Sequence, residues 1–181
     1  MTEFNRMQTV KRKFFALRNG AVADALRKGG PSYRIIFGLL LPQIADVARE
    51  TGYDEELAEK LWANKTTRES LLLAPMLVDP QCIGFDRGKK MALEAPTAEV
   101  ADVLCHRLLR RMPDAFALAA ELTDEESSMG HYCAMRILWP FVYSDPERIK
   151  PLAEKELARN DSLTLQPARQ ILDEIAALEE L

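Results

Sequence analysis

The chemically capable side chains of this sequence gather in two short stretches. One holds Asp102, Cys105 and His106; the other holds His131, Tyr132, Cys133 and Arg136. Two thiols and two imidazoles make a donor set that zinc accepts. Adjacent helix residues diverge by about 100°, however, so Cys105 and His106 point apart and do not readily chelate one ion together. The reading is therefore no metal and no cofactor. Cys105 and Cys133 pack as small hydrophobes, while His106 and His131 line a groove beside Asp102. The sequence carries no phosphate-binding glycine loop, dinucleotide fingerprint or Ser/His/Asp arrangement.

Two basic clusters could hold phosphates. Residues 1–34 contain eight Lys or Arg, among them Lys11, Arg12 and Lys13, against Glu3 and Asp24. That segment is about +6 in a chain whose net charge is −4, so the remainder sums to about −10. A second cluster comprises Arg87, Lys89, Lys90, Arg107, Arg110 and Arg111, offset locally by Glu94, Glu99 and Asp102. Together they could form a phosphate-tracking face; charges spread over a solvated surface are the plainer alternative. The acidic total argues against a generally basic nucleic-acid coat.

At 181 residues the chain is long enough for one domain with a real core. Its longest apolar run, 35–41, is broken by Gly38 and stopped by Pro42, far short of the roughly 20 residues a membrane helix needs. Charged residues occupy the N-terminus where a signal peptide would be apolar. Three cysteines, Cys82, Cys105 and Cys133, without a CxxC pair fit a reducing compartment and are expected to be buried small hydrophobes. These features together read as a soluble, cytoplasmic protein with no membrane partner.

Apolar residues recur at helical spacing nearly throughout, and nothing alternates like a half-buried strand, so the fold is all-α. The first helix is expected over about 4–17, with Phe4, Met7, Val10, Phe14 and Leu17 on a stripe that docks onto the first repeat rather than onto a membrane. A turn at Gly29-Gly30-Pro31 follows a short second helix. Later helices are expected to be capped at Asp54, Thr66, Thr97 and Asp124, with Pro42, Pro113, Pro146 and Pro151 in first turns. Segments 69–80 and 135–146 match in pattern. Each is an apolar helix interrupted by a proline (Pro75, Pro140) that should bend it, and each closes on Asp-Pro. Leu57, Met91, Leu118 and Leu152, set side by side as first-helix starts, are spaced 34, 27 and 34 residues apart. This spacing suits two-helix solenoid repeats. The expected architecture is an α-α superhelix, a HEAT/ARM-like helical-repeat solenoid forming a single domain over 1–181. Residues 1–30 form basic N-terminal helices and about 33–181 form helix pairs; an irregular bundle is the alternative. Trp62 and Trp139 read as core, and the acidic Glu179-Glu180-Leu181 end as a fraying helix.

These same segments resemble a known family. Residues 33–44, with Phe37-Gly38 and Pro42-Gln43-Ile44, resemble the aromatic-Gly-x-x-x-Pro-x-Leu/Ile entry of the alkylpurine DNA glycosylases of the DNA alkylation repair (AlkD-like) family. Residues 57–62 followed by 68–74 are similar to that family's Leu-Trp and hydrophobic-Glu repeat, and 100–102 falls where it has Trp-x-x-x-Asp. The resemblance spans roughly residues 33–140. It implies a DNA-facing solenoid that excises cationic alkylated purines, with Asp102 as the catalytic carboxylate. Such a base is already a charged leaving group. The site then needs a carboxylate for the developing sugar cation, an aromatic face for the base, and cations for the phosphates. Two positions depart from the pattern. Ala98 stands where the family has the aromatic, and Tyr132 where it has an arginine, with Arg136 one helical turn further on as a substitute.

Two functions follow. The first is a DNA-binding helical-repeat protein related to these glycosylases, with a degenerate active site and duplex DNA as partner. Asp102 would be catalytic, His106, His131, Tyr132 and Arg136 would line the groove, and Lys11, Arg12, Lys13, Arg87, Lys89, Lys90, Arg107, Arg110 and Arg111 would contact phosphates. The second is a non-catalytic scaffold whose concave face binds a protein or peptide.

Overall fold

The computed structural model describes residues 5–30 and 33–180. Glu3, Phe4, Pro31 and Leu181 therefore lie outside the described residues. Among those described, eleven α-helices follow one another, with a single isolated bridge between Ile35 and Thr67. They are α1 (Arg6–Ala16), α2 (Gly20–Lys28), α3 (Leu41–Thr51), α4 (Glu55–Ala63), α5 (Arg68–Leu73), α6 (Phe85–Glu94), α7 (Ala98–Arg107), α8 (Ala115–Leu122), α9 (Ser128–Leu138), α10 (Pro146–Arg159) and α11 (Leu165–Glu179). The chain divides into two compact units, Met1–Asp79 and Pro80–Leu181. No helix is long and apolar enough to cross a membrane.

The repeat is written in the caps. First helices α4, α6, α8 and α10 are preceded by Asp54, Gly84, Asp114 and Asp145. Second helices α5, α7 and α9 are preceded by Thr67, Thr97 and Ser127. Both series advance by about 30 residues, a two-helix solenoid period. Asp54 accepts from the Leu57 N–H at 3.1 Å, Thr97 from Val100 at 3.3 Å and Ser127 from Gly130 at 3.1 Å, each satisfying an orphan donor of the first turn. Measured on this frame, Met91 and Leu152 both stand at the register of Leu61, one turn later than Leu57. Apolar i, i+4 spacing permits that slip, and cap positions do not.

Other expectations are corrected in the same way. The caps of α5 and α9 are Thr67 and Ser127 rather than Thr66 and Asp124. Pro75 and Pro140 do not bend a continuing helix. Each sits inside a 3-10 turn, Ala74–Met76 or Trp139–Phe141, that tightens the end of α5 or α9. A third such turn, Leu109–Arg111, follows α7 without any proline, so the geometry belongs to the repeat and proline merely tolerates it. Pro42 and Pro146 do occupy first turns, whereas Pro113 precedes α8 and Pro151 lies inside α10, where it removes one helical hydrogen bond.

In the first unit, α1 packs on α4, Val10 and Phe14 are buried with the Phe14 ring 5.8 Å from that of Phe37, and Arg6 pairs with Asp54. The organising contact is the fully buried Glu69 carboxylate at the start of α5. It accepts from the backbone N–H of Phe37 at 3.1 Å, Gly38 at 2.9 Å and Leu39 at 3.3 Å. Arg68, also buried, donates to the Leu39 carbonyl at 3.0 Å and lies 3.2 Å from the same carboxylate. Gly38 is required here. Its φ is +80°, and a methyl group on it would lie 2.2 Å from the Asn19 carbonyl oxygen at the α2 cap.

In the second unit α9 is central, packing on α6, α7, α8, α10 and α11. The turn between α8 and α9 is clasped by its neighbours. Lys89 of α6 lies 2.5 Å from both Glu121 and Glu125, Arg159 of α10 donates to the Thr123 carbonyl at 2.7 Å, and Lys155 pairs with Asp124. A second fully buried carboxylate, Glu156, accepts from the Thr164 hydroxyl at 2.6 Å and from Arg159 at 2.5 Å.

Removing one partner of a buried, hydrogen-bonded charge pair typically costs about 3–5 kcal/mol. Glu69→Ala, which removes the buried carboxylate from Arg68 and from three backbone N–H groups, is expected to lose stability on that scale in urea unfolding. A variant within 1 kcal/mol of wild type would show that the carboxylate does not hold the 37–39 segment.

Candidate functional site

The caps set the phase of α7. With Thr97 at its head, Val100, Ala101, Val103, Leu104 and Cys105 turn into the core, leaving Asp102 and His106, four residues apart, on the accessible side. The cap of α9 likewise places Tyr132 and Arg136, again four apart, on the side facing α7.

Both reach the same oxygen. The Tyr132 hydroxyl donates to Asp102 Oδ1 at 2.9 Å, and Arg136 Nε lies 2.6 Å from Oδ1. No hydrogen bond from the described residues reaches Oδ2, and the Asp102 side chain is 40% exposed. Burial, followed by the Asp102 charge and hydrogen bond, pushes the Tyr132 phenol up to about 12. Tyr132 therefore stays a donor across any physiological pH.

Beyond Asp102 the face turns strongly positive. Arg107, Arg110 and Arg111 have no carboxylate partner among the described residues, in contrast to Arg136. His106 is exposed, and its Nε2 lies 3.3 Å from Arg110 Nη2. A guanidinium has only donors, so Nε2 is the acceptor and the imidazole is neutral with its proton on Nδ1. Desolvation, then Arg110, Arg107, Arg111 and Arg136, hold its pKa below the usual histidine value. Desolvation and neighbouring arginines also lower Arg110.

The remaining sequence-predicted residues divide. His131 does not join Asp102: it is buried, with Nε2 2.6 Å from the Glu125 carbonyl and Nδ1 3.6 Å from Glu156. It lies next to Tyr132 in sequence but about 100° around the helix, which turns it toward α10. Lys89 is held by Glu121 and Glu125, which raise its pKa and leave it little capacity for phosphate. Lys90 lies 3.8 Å from Glu94, and burial lowers Arg87. On α1 of the first unit, Lys13 pairs with Glu50 at 2.6 Å, while Lys11 and Arg12 are exposed.

The cysteines at positions 105 and 133 are buried thiols contacting the Cys133 and Ala92 carbonyls at 3.7 Å, and burial pushes Cys105 well up, whereas Cys82, expected to be buried, is exposed in the loop before α6. Among the described residues no group of three or more potential ligands could hold a metal ion.

Trp139 was expected in the core. It is instead 37% exposed and lines a shallow groove with Arg136, Gln170, Asp173 and Glu174 between the end of α9 and α11. Its place in the 3-10 turn breaks the helical phase from which burial is read. Trp62 is buried, with Lys65 4.1 Å above its ring.

No family model matches the chain, and no curated protein matches it in sequence. One solved structure does match in fold. It is described as belonging to a new family of proteins related to the HEAT-like repeat DNA glycosylases with affinity for branched DNA structures. The match has a TM-score of 0.64 and 16% identity over 93% of this chain and 83% of that one. The fold is thus that of the HEAT-like helical-repeat proteins.

Both members of the Asp102–Arg136 pair are more than a third exposed, so the pair contributes at most about 1 kcal/mol. Asp102→Asn is expected to leave stability within that margin while lowering the Tyr132 phenol, read by NMR of ring-labelled tyrosine. The folded phenol is raised, so its stabilising contact is present at neutral pH and lost as pH climbs through about 12. An unmoved phenol would mean that burial alone sets it.

Proposed function

We propose that this chain binds the phosphate backbone of DNA through the α7–α9 face of its second unit. The observation that carries the reading is the group of three arginines, Arg107, Arg110 and Arg111, without carboxylate partners among the described residues and beside the Asp102–Arg136 pair. Unpaired guanidiniums repel one another and are kept together most economically by an anion. A structural neighbour described as having affinity for branched DNA structures supports a nucleic-acid partner.

In this reading Asp102 would face a bound nucleotide, and the resemblance to alkylpurine glycosylases gives it the role of stabilising a sugar cation. Its pairing with Arg136 opposes that role by offsetting the negative charge it would supply. Ala98, at the head of α7, offers no ring to a cationic base. The site is therefore read as a binding site with degenerate glycosylase chemistry. Asp173 and Glu174 beside Trp139 favour a second reading for the α9–α11 groove alone, as a seat for a basic peptide.

Fluorescence anisotropy with a labelled duplex and a four-way junction, titrated with KCl, tests the proposal. Each phosphate contact contributes a slope of about 0.9 in log K against log salt, so the triple Arg107→Gln, Arg110→Gln, Arg111→Gln variant should flatten the slope by about 2–3. No affinity for either probe at 50 mM salt, or an unchanged slope in the variant, would falsify the assignment. Release of 7-methylguanine from methylated duplex is expected at the uncatalysed rate; release that Asp102→Asn abolishes would show that catalysis persists.

A further inference from the structure

We infer that His106 is a phosphate-binding residue recruited together with a proton: the backbone phosphate that engages Arg110 frees the imidazole Nε2, which then takes up a proton and donates to the same anion. This inference rests on the DNA-backbone reading above.

The geometry sets the starting state. His106 Nε2 accepts from Arg110, so the free protein stores the imidazole in its neutral form with its outer nitrogen occupied. The groups acting on it come from three elements. On α7 itself, Asp102 lies one turn before it and Arg107 beside it. The 3-10 turn Leu109–Arg111 brings Arg110 and Arg111, and α9 brings Arg136. The Asp102 charge is already matched by Arg136, and the Tyr132 hydroxyl on the same oxygen is neutral. Helix α6 also packs on α7. Of its charged groups, Lys89 is taken by Glu121 and Glu125, Lys90 lies closest to Glu94, and Asp86 and Arg87 complete the set. The balance around His106 is thus an excess of guanidinium charge, and partial desolvation first, then that excess, disfavours imidazolium.

A phosphodiester reverses both restraints. Its negative charge offsets the arginines, and its oxygens draw the Arg110 donors away from Nε2. The imidazole Nε2 is then released and next to an anion, both of which favour the protonated form. No bond is made or broken other than N–H: one proton passes from solvent to Nε2, and the complex gains one positive charge. The sign of the linkage follows. His106 has the lower pKa when free and the higher when bound, so binding takes up protons. Affinity therefore rises as pH falls through the window between the two values, by at most tenfold per pH unit for one group.

The chain has two histidines, which makes the assignment clean. His131 is buried with both nitrogens facing acceptors and serves as the internal control. The experiment follows the two imidazole Cε1–H signals by NMR from pH 5 to 8, with and without a 12-base-pair duplex. Anisotropy over the same range is measured for wild type and His106→Gln. The expected result is a His106 midpoint that moves up when DNA is bound, a His131 signal that does not follow it, and wild-type binding two- to tenfold tighter at pH 5.5 than at pH 7.5. His106→Gln should bind with a flatter pH profile and, at pH 5.5, with a salt slope smaller by up to about 0.9. Inorganic phosphate at millimolar concentration, run in parallel, separates a site for any phosphate from one that needs a polymer: an upward shift with phosphate alone supports the His106–Arg110 cluster as the unit of recognition, and a shift with duplex only supports recruitment by the backbone. Tight, salt-dependent binding whose pH profile is the same in His106→Gln overturns the inference and leaves the DNA reading intact. Absence of any binding instead removes the reading on which it rests.

Discussion

A carboxylate sealed from solvent must find all its donors within the protein, and that requirement governs each unit. Glu69 meets it by gathering three successive backbone N–H groups and a buried guanidinium, which fixes the 37–39 segment against the start of α5. The crossing is then so tight that only glycine fits at 38. Glu156 meets the same requirement with Thr164 at the head of α11 and Arg159 at the end of α10. Arg159 in turn reaches the α8–α9 turn, so the placement of the last helix pair and that of α9 share one polar anchor. The apolar core supplies most of the cohesion, but these charges decide which packing is allowed, because an alternative register would leave them without partners.

Much of the fold was legible in the residues, and the legible part was the part governed by local chemistry. Asp54 and Thr97 announce helices because a short oxygen-bearing side chain satisfies a first-turn N–H wherever it occurs. The helix pairs, the docking of α1 and the burial of Cys105 and Cys133 follow from periodicity. The repeat register was misread because apolar residues at i and i+4 are interchangeable under a one-turn slip. Pro75 and Pro140 were read as kinks since nothing local distinguishes a proline that bends a helix from one that accompanies its end.

The candidate site was less legible, for a reason visible in its geometry. Asp102 and Arg136 are 34 positions apart and meet only because α7 and α9 pack with matching phase. Tyr132 looked like the loss of an arginine, yet phenol and guanidinium converge on one carboxylate oxygen. Lys89 and Arg110 are equivalent as letters in a basic cluster. One is neutralised by two glutamates from the next repeat and the other has none among the described residues, a distinction that belongs to tertiary structure. His131 and Tyr132 are neighbours in sequence with opposite surroundings for the same reason.

The clasp around the α8–α9 turn has a further meaning for how such a chain can change. Stacked repeats touch mainly their nearest neighbours, so whole units can be added or lost wherever a junction is made of interchangeable apolar contacts. Here Lys89 from the preceding pair and Lys155 and Arg159 from the following one converge on a single five-residue turn. Copying or excising one helix pair at this point would separate those groups from their partners. The array is thereby given a fixed length at one joint, a form of bookkeeping in charge that an all-apolar stack lacks.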